Sequence, residues 1–332
     1  NSLSRFTPYV NFLNNQVSNA VLLENLASSN LDWETTTQTD IGLEIGFLNN
    51  RYSLELDYYN KRTKDLLLNR PIPGTAGETR LENVGEIENK GFEFTINSLN
   101  IDKPDFTWST NLTISANKNK VISIGDGQEF ITLDNPNGSS GPSIRIIPGY
   151  PAPAYLGATY LGTYRTTAEI DADGVVGSVL GGPRYVDLDG NGAINQLDFI
   201  VHGDPNPDFY GGLRNTLTYK DFTLDFFFHG SYGNEILNAA YHLGYFGRDP
   251  RSNLLPIVKD RWTTSNQNSD IPRAGSSFGN YQQRSDVSYQ DGSFLRLKNV
   301  TLTYDLDIPG MKRASVYVTG NNLLLFTKFT HG

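Results

Sequence analysis

The residues best suited to chemistry in this chain form one short acidic loop. Asp187, Asp189, Asn191, Asn195 and Asp198 place side-chain oxygens at positions 1, 3, 5, 9 and 12 of the run, and the Ala193 carbonyl falls at position 7. Gly192 takes position 6, where such a loop needs a sharp turn. An all-oxygen donor set at this spacing suits Ca²⁺, whose shell is large and flexible, and the expected role is structural. Position 12 carries Asp198 where Glu would reach further toward a bidentate contact, and no clear helical pattern flanks the run. A plain Asp/Asn/Gly-rich turn in a long exposed loop is the competing reading.

Nothing else marks a reaction centre. Gly275-Ser276-Ser277-Phe278-Gly279 matches G-x-S-x-G, but a nucleophile elbow needs a buried strand before it and a helix after it, and neither pattern is present. The four histidines, 202, 229, 242 and 331, lack the spacing of paired metal ligands. No phosphate-cradling glycine motif occurs, and no carboxylate pair is singled out by its surroundings. The chain is therefore not read as an enzyme. Aromatic residues among polar neighbours are more informative. Tyr150, Tyr155, Tyr160, Tyr241, Tyr245 and Trp262 fall in long polar stretches and are candidates for binding sugar or peptide. Packing within the loops, or contact with a partner protein, accounts for them equally well.

The elements that must position these residues are strands. Around Lys220-Asp221, Leu213, Leu217 and Tyr219 on one side and Phe222, Leu224, Phe226 and Phe228 on the other alternate with mostly polar residues. Period-two alternation across a two-residue break predicts an antiparallel hairpin. Asn215 and Phe227 break its pattern. The same design recurs at Ile41, Leu43, Ile45 and Phe47, then Tyr52, Leu54, Leu56 and Tyr58, then Phe92, Phe94 and Ile96. Phe106, Trp108, Leu112 and Ile114 follow it, and a last pair starts at Leu295 and Val316, with a parity flip that predicts a bulge near Lys298-Asn299. Residues 1–35 show no sustained period and are expected to be mostly loop.

Connection lengths alternate strictly. Short turns fall near 49–50, 100–105, 220–221 and 306–311, and long polar stretches near 60–86, 117–208 and 233–291. Short turns at one end and long loops at the other describe an all-β, antiparallel transmembrane barrel with periplasmic turns and extracellular loops. Tyr52, Trp108, Tyr219, Phe222 and Tyr304 lie beside the short turns, where an interfacial aromatic girdle belongs. The alternative is a soluble β protein with ordinary core aromatics. About eight strands are counted and the last stops at Gly332 without a partner, and a sheet with open edges cannot sit in lipid, so residues 1–332 are expected to form one portion of a larger barrel.

Composition agrees without deciding. Of 332 residues 38% are hydrophobic and 12% aromatic, and no apolar run is long enough for a helical membrane span. The mean hydropathy of -0.40 is uninformative for a barrel, whose inward positions are polar. A net charge of -9 with scattered basic residues argues against nucleic acid as a partner. The absence of Cys excludes disulfides and thiolate metal sites.

Several stretches together resemble the SusC/RagA-type TonB-dependent outer-membrane transporters. They are NLDWETTTQTDIGLEIGFLNNRYSLELDYYNKRTKDLLL, NVGEIENKGFEFTI and YVDLDGNGAINQLDFIVHGDPNPDFYGGLRNTLTYKDFTLDFFFHGSYGNEILN, followed in the family's order by RWTTSNQNSDIPRAG, GSFLRLKNVTLTYDL and VYVTGNNLLLFTKF. The resemblance corresponds to the C-terminal part of the barrel, and rests on the ordering of motifs rather than on any one of them. It implies a barrel of about 22 strands with an N-terminal plug, in the outer membrane of a Gram-negative bacterium. It also implies coupling to TonB, a SusD-like surface lipoprotein as a lid, and oligosaccharide or peptide substrates. The plug, the TonB box and the final strands are expected to lie outside this sequence. Two further readings stand beside it: a SusC-like barrel serving as a structural subunit of a larger envelope complex, and a secreted calcium-dependent carbohydrate-binding module.

Overall fold

A computed structural model describes residues 5–13, 16–28, 31–71, 79–133, 143–246, 253–275 and 285–329. The first strands are β1 (Arg5–Leu13), β2 (Gln16–Leu26), β3 (Thr35–Phe47), β4 (Tyr52–Pro71), β5 (Thr79–Lys103) and β6 (Phe106–Ile124). The first long connection then carries β7 (Ile131–Thr132), β8 (Ser143–Ile146), β9 (Ala154–Gly157), β10 (Tyr160–Thr163), α1 (Thr167–Asp173), β11 (Pro183–Tyr185) and β12 (Ile200–Gly203). The hairpin of β13 (Phe209–Tyr219) and β14 (Phe222–Tyr232) follows it. The second long connection holds β15 (Glu235–Leu237), α2 (Ala239–Phe246) and β16 (Tyr289–Asp291), before β17 (Phe294–Leu306) and β18 (Ala314–Thr327). No helix among the described residues is long and apolar enough to cross a membrane, so any crossing is made by strands.

The main sheet is antiparallel from β3 through β4, β5, β6, β13, β14 and β17 to β18, and β3 and β18 each pair on one side only among the described residues. Its register sorts the side chains by parity. Leu213 faces Phe228, Leu217 faces Leu224 and Tyr219 faces Phe222, and the adjoining ladders carry the same face through Leu112, Ile96, Leu54 and Ile45. Those side chains are apolar and none is buried: Leu213, Leu224 and Leu112 are half-buried, while Ile45, Tyr219 and Phe222 are exposed, as are Ile41 and Val318 on the same sheet. The opposite face is polar and cross-linked. Arg214 donates to Asp225 at 2.7 Å, Asn111 to Asn97 at 2.6 Å, and Asn299 to Asn321 at 3.1 Å. Apolar outside and polar inside is the barrel arrangement, inverted relative to a soluble core. Phe47 stacks on Tyr52 at 5.3 Å and Phe222 lies 4.6 Å from Tyr304, which places the girdle beside the short turns. The expected bulge appears as a register shift between Leu297 and Asn299.

Three expectations need correction. Residues 1–35 are not mostly loop, because β1 and β2 form a hairpin there, attached to β5 by a two-residue parallel ladder. The main sheet therefore holds ten strands rather than eight. The stretch 60–86 is not a long loop either: β4 runs to Pro71 and β5 starts at Thr79. These strands have 20 and 25 residues, whereas about 9–11 tilted residues cross a hydrocarbon core. The excess projects beyond the lipid, where both faces meet water and neither needs to be apolar. That is why no alternation marks it.

The short turns are fixed locally. Leu48, Asn49 and Asn50 adopt left-handed φ values of 54°, 55° and 59°, and Lys220 one of 50°. Arg51 then ties two turns together, its guanidinium donating to the Leu99 carbonyl at 2.7 Å and the Asn100 carbonyl at 2.8 Å.

Candidate functional site

The two long connections fold against each other at the extracellular end. In the first, β12, β9, β8 and β7 form a small sheet in that order, and β10 pairs with β11. In the second, β15 pairs with β16. Contacts more than 100 residues apart in sequence lock them. The Tyr160 N–H donates to Asp286 Oδ1 at 2.9 Å, the Thr163 hydroxyl to the Ser269 carbonyl at 2.6 Å, and Arg165 to Asp270 at 2.7 Å. Ala158 and Ser285 form a parallel bridge, and both are fully buried. The result is a packed mouth with its own small cores.

The six candidate aromatics do not share one environment. Tyr155 is buried and stacks on Tyr289 with ring centroids 4.9 Å apart and planes 3° apart. Trp262 is buried over Gly181, where an added Cβ would lie 2.3 Å from the indole. Its Nε1 hydrogen is enclosed without an acceptor among the described residues. Tyr245 is buried, and burial pushes its phenol up to about 12. Tyr160 is half-buried, its ring meeting Tyr185, Tyr245 and Phe246 and its hydroxyl donating to the Asp270 carbonyl at 2.5 Å. Tyr241 lies 5.7 Å from Tyr245 at the edge of this group. Tyr150 stands apart, exposed where the Val121 N–H of β6 donates to its carbonyl. Tyr160, Tyr241 and Tyr245 thus come together, whereas Tyr150, Tyr155 and Trp262 occupy separate positions.

Sequence reasoning missed the partners that hold this group. Tyr289 donates its hydroxyl to Leu156 at 2.7 Å across 133 positions, and His202 packs 6.1 Å from the Tyr289 ring. No local pattern announces a contact at such separation. Another missed element is the ion pair under α1. Arg184 donates to both Asp173 oxygens, at 2.7 and 3.0 Å, and reaches Glu169 at 3.5 Å. The guanidinium hydrogen bond holds the Asp173 carboxyl below its usual value.

The acidic loop closes on itself. Asp187, Asp189 and Asp198 each bring a carboxylate oxygen within 4.8 Å of the others. Asp187 accepts from the N–H groups of Gly190 and Gly192 at 2.9 and 2.8 Å, and these bonds, that from Gly192 first, keep its carboxyl below the ordinary range. Asn191 Oδ1 accepts from the Ala193 N–H, and the Ala193 carbonyl accepts from Asn195 Nδ2 at 2.9 Å. Asp198 is fully buried and clamps the two ends, accepting from Leu188 and Asn195 at 2.8 Å each. The G-x-S-x-G serine segment lies largely outside the described residues, and His331 lies wholly outside them. Among the described residues the histidines do not gather with other ligating groups.

The polar wall below the mouth carries one aromatic strip. Phe227, which breaks the hairpin's pattern, lies across Gly212 on the inward face, where a Cβ would approach its ring to 2.7 Å. His229 stacks on Phe227 at 6.2 Å and meets Phe294 edge-on at 5.2 Å, and Arg296 lies 5.6 Å from the Phe294 ring.

Comparison with known proteins agrees with this architecture. A family model described as TonB dependent receptor-like, beta-barrel, matches residues 5–323. TonB-dependent receptor P26 of Formosa agariphila is 41% identical over 310 residues, 91% of this chain and 31% of that protein. TonB-dependent receptor SusC of Bacteroides thetaiotaomicron is 28% identical over 284 residues, 83% of this chain and 26% of that protein. The solved RagAB peptide transporter covers 99% of this chain with a TM-score of 0.78 at 23% identity, a likeness of fold. This chain spans only about a third of the length of these relatives, 31% of the first. The family is one of outer-membrane receptors rather than enzymes. Apolar outward faces, short turns opposite a folded mouth, and a match running almost end to end together place the chain in the TonB-dependent receptor β-barrel family.

Proposed function

We propose that this chain is the barrel portion, with its extracellular mouth, of an importer that takes oligosaccharides or peptides across the outer membrane, energised through TonB and closed by a SusD-like lipoprotein. The observation that carries the proposal is the interlocked mouth. Two connections pinned by the Tyr160–Asp286 and Thr163–Ser269 hydrogen bonds give a preshaped rim above a polar channel wall. A preshaped rim lowers the ordering cost of gripping a ligand or a lid. Tyr150, Tyr160 and Tyr241 offer ring edges and faces at this rim, and Tyr155, Tyr245 and Trp262 hold it in shape. The Phe227, His229 and Phe294 strip extends aromatic surface down the inward wall. A secreted carbohydrate-binding module no longer fits, because the chain belongs to an outer-membrane barrel family.

Binding by the full-length receptor with its lipoprotein tests the reading, using a panel of neutral oligosaccharides and short peptides. Tyr150→Ala and Tyr241→Ala should each weaken one class by roughly fivefold or more, the scale of a lost aromatic contact. Unchanged affinity in both variants would remove these residues from the site. Failure to bind either class would favour the structural-subunit reading.

We also propose that the loop from Asp187 to Asp198 holds Ca²⁺ as a brace of the mouth, through Asp187, Asp189, Asn191, the Ala193 carbonyl, Asn195 and Asp198. The clustering of three carboxylates supports it. Asp187→Ala should then lower thermal stability more with Ca²⁺ than without it, the ion-free loss being only that of the Gly190 and Gly192 N–H bonds, whereas equal losses with and without the ion would identify a plain turn.

A further inference from the structure

The outward face of the sheet is not uniformly filled. Gly211 and Gly230 face one another across β13 and β14, on the same parity as Leu213 and Phe228. With no side chain at either position they leave a groove between the apolar walls. Its volume is about 790 Å³, within the range of sites that enclose small ligands, roughly 300–1,000 Å³. Ile114 and Leu213 line one side, and Phe228, Leu295 and Phe326 the other. The floor is closed to larger residues: a Cβ on Gly211 would come 2.3 Å from the Thr113 carbonyl oxygen, and one on Gly230 would come 2.7 Å from that of Phe294.

Height identifies what meets this groove. Nine residues separate Gly211 from the periplasmic turn at Lys220. At ~3.4 Å each and a tilt of about 40°, Gly211 lies roughly 23 Å above that turn, near the top of an apolar band about 25 Å tall. The groove is thus level with the outer leaflet. Its upper end is marked by the stacked pair Phe209 and Tyr232, 5.2 Å apart, an aromatic pair at interfacial height. Beyond it the lining turns polar, with Ser293, Asp291 and Lys328. The Lys328 side chain is 86% exposed, its ammonium 3.7 Å from Asp291.

We propose that this groove is a built site for one lipid of the outer leaflet, with an acyl chain laid over Gly211 and Gly230 and a phosphate-bearing headgroup at Lys328. The polarity of the lining matches an amphiphile entering from above: apolar along the wall, then aromatic, then charged. The groove is continuous with the lipid-facing surface of the sheet, so the lipid reaches it laterally without crossing water. A second copy of the barrel would need a ridge to enter so narrow a trough, and the neighbouring outward residues, Leu217, Leu224 and Leu302, form a flat face instead.

The test uses the full-length receptor in nanodiscs of phosphatidylethanolamine doped with lipid A, followed by native mass spectrometry of the released protein. The wild type should retain lipid A in at least one copy. Leu295→Trp fills the groove from its wall and should reduce retention roughly tenfold, what about two excluded methylenes are worth. Lys328→Glu should lower retention of lipid A more than that of phosphatidylethanolamine. Leu224→Trp, on the same face outside the groove, controls for general lipid stripping, and heat-modifiable migration on gels checks that each variant is folded. Equal retention in wild type and Leu295→Trp, equal loss in Leu224→Trp, or protein dimers with no bound lipid would each overturn the proposal.

Discussion

Asn215 sits on the lipid-facing parity of β13, between Leu213 and Leu217, where an amide is out of place. The structure supplies its reason. Trp108 Nε1 donates to Asn215 Oδ1 at 2.8 Å and the Thr110 hydroxyl donates to the same oxygen at 2.7 Å. Asn100 Nδ2 in turn donates to Thr110 at 2.7 Å, and Asn215 is 7% exposed beneath these neighbours. The amide is therefore a shared acceptor that lets the girdle tryptophan and a threonine sit at membrane depth without open donors. Asn215→Leu leaves two donors unpaired in hydrocarbon. Unsatisfied buried groups cost about 1–3 kcal/mol each in water-soluble proteins. Membrane double-mutant cycles average nearer 0.6 kcal/mol, because the unfolded chain also finds partners. Together these give a loss of about 1–3 kcal/mol. Removing the donors as well, with Trp108→Phe and Thr110→Val, should recover part of it, since apolar groups replacing both partners are nearly neutral while the Asn100 amide loses its acceptor at Thr110. Urea unfolding of the full-length receptor in lipid vesicles, followed by heat-modifiable migration, measures both effects. Additive losses across the three substitutions, or a neutral Asn215→Leu, would refute the shared-acceptor account.

Three other substitutions probe separate parts of the molecule. Gly181→Ala combines a φ of 71° with a Cβ 2.3 Å from the Trp262 indole, so it should cost about 2–4 kcal/mol of mouth stability, read as faster hydrogen exchange around Trp262. Leu224→Arg, facing lipid, should impair assembly by about 2–4 kcal/mol if it lies near midplane, while Thr223→Arg, facing inward, should assemble almost normally. Asp173 has a folded-state value depressed below 3.8, chiefly by its hydrogen bond from Arg184, so its contribution is present above that pH and is lost as pH falls through the lower folded value. Exchange around α1 should accelerate on acidification in that window, by about 1 kcal/mol for a partly buried bidentate pair, and Asp173→Asn should leave only the smaller dependence carried by Glu169, the capping-box carboxyl of α1.

What the sequence revealed follows from where side chains meet lipid. Leu213, Leu224, Phe226 and Ile45 alternate because one face must be apolar and the other must not, so their strands and short turns were legible. Beyond the membrane that constraint ends, and the upper halves of β4 and β5 read as loop although they are strand. In β1 a proline, Pro8, breaks the alternation of Phe6, Val10 and Phe12; β1 pairs with β2 alone among the described residues, an edge position where proline is tolerated. The acidic loop was visible because its donors are close in sequence. The mouth's other contacts, Tyr155 with Tyr289 and Arg165 with Asp270, join residues more than 100 positions apart, and no local period encodes them. Asn215 and Phe227 broke the pattern visibly, but only Trp108 and Gly212 show why.

Energised import through this barrel is tested by uptake of labelled oligosaccharides and labelled short peptides by cells carrying the full-length receptor, with TonB intact, with TonB removed, and with the proton-motive force collapsed. One of the two substrate classes should enter, and entry should be lost in both de-energised conditions. Correctly assembled receptor that imports neither class, or imports one regardless of TonB and the proton-motive force, would contradict energised import.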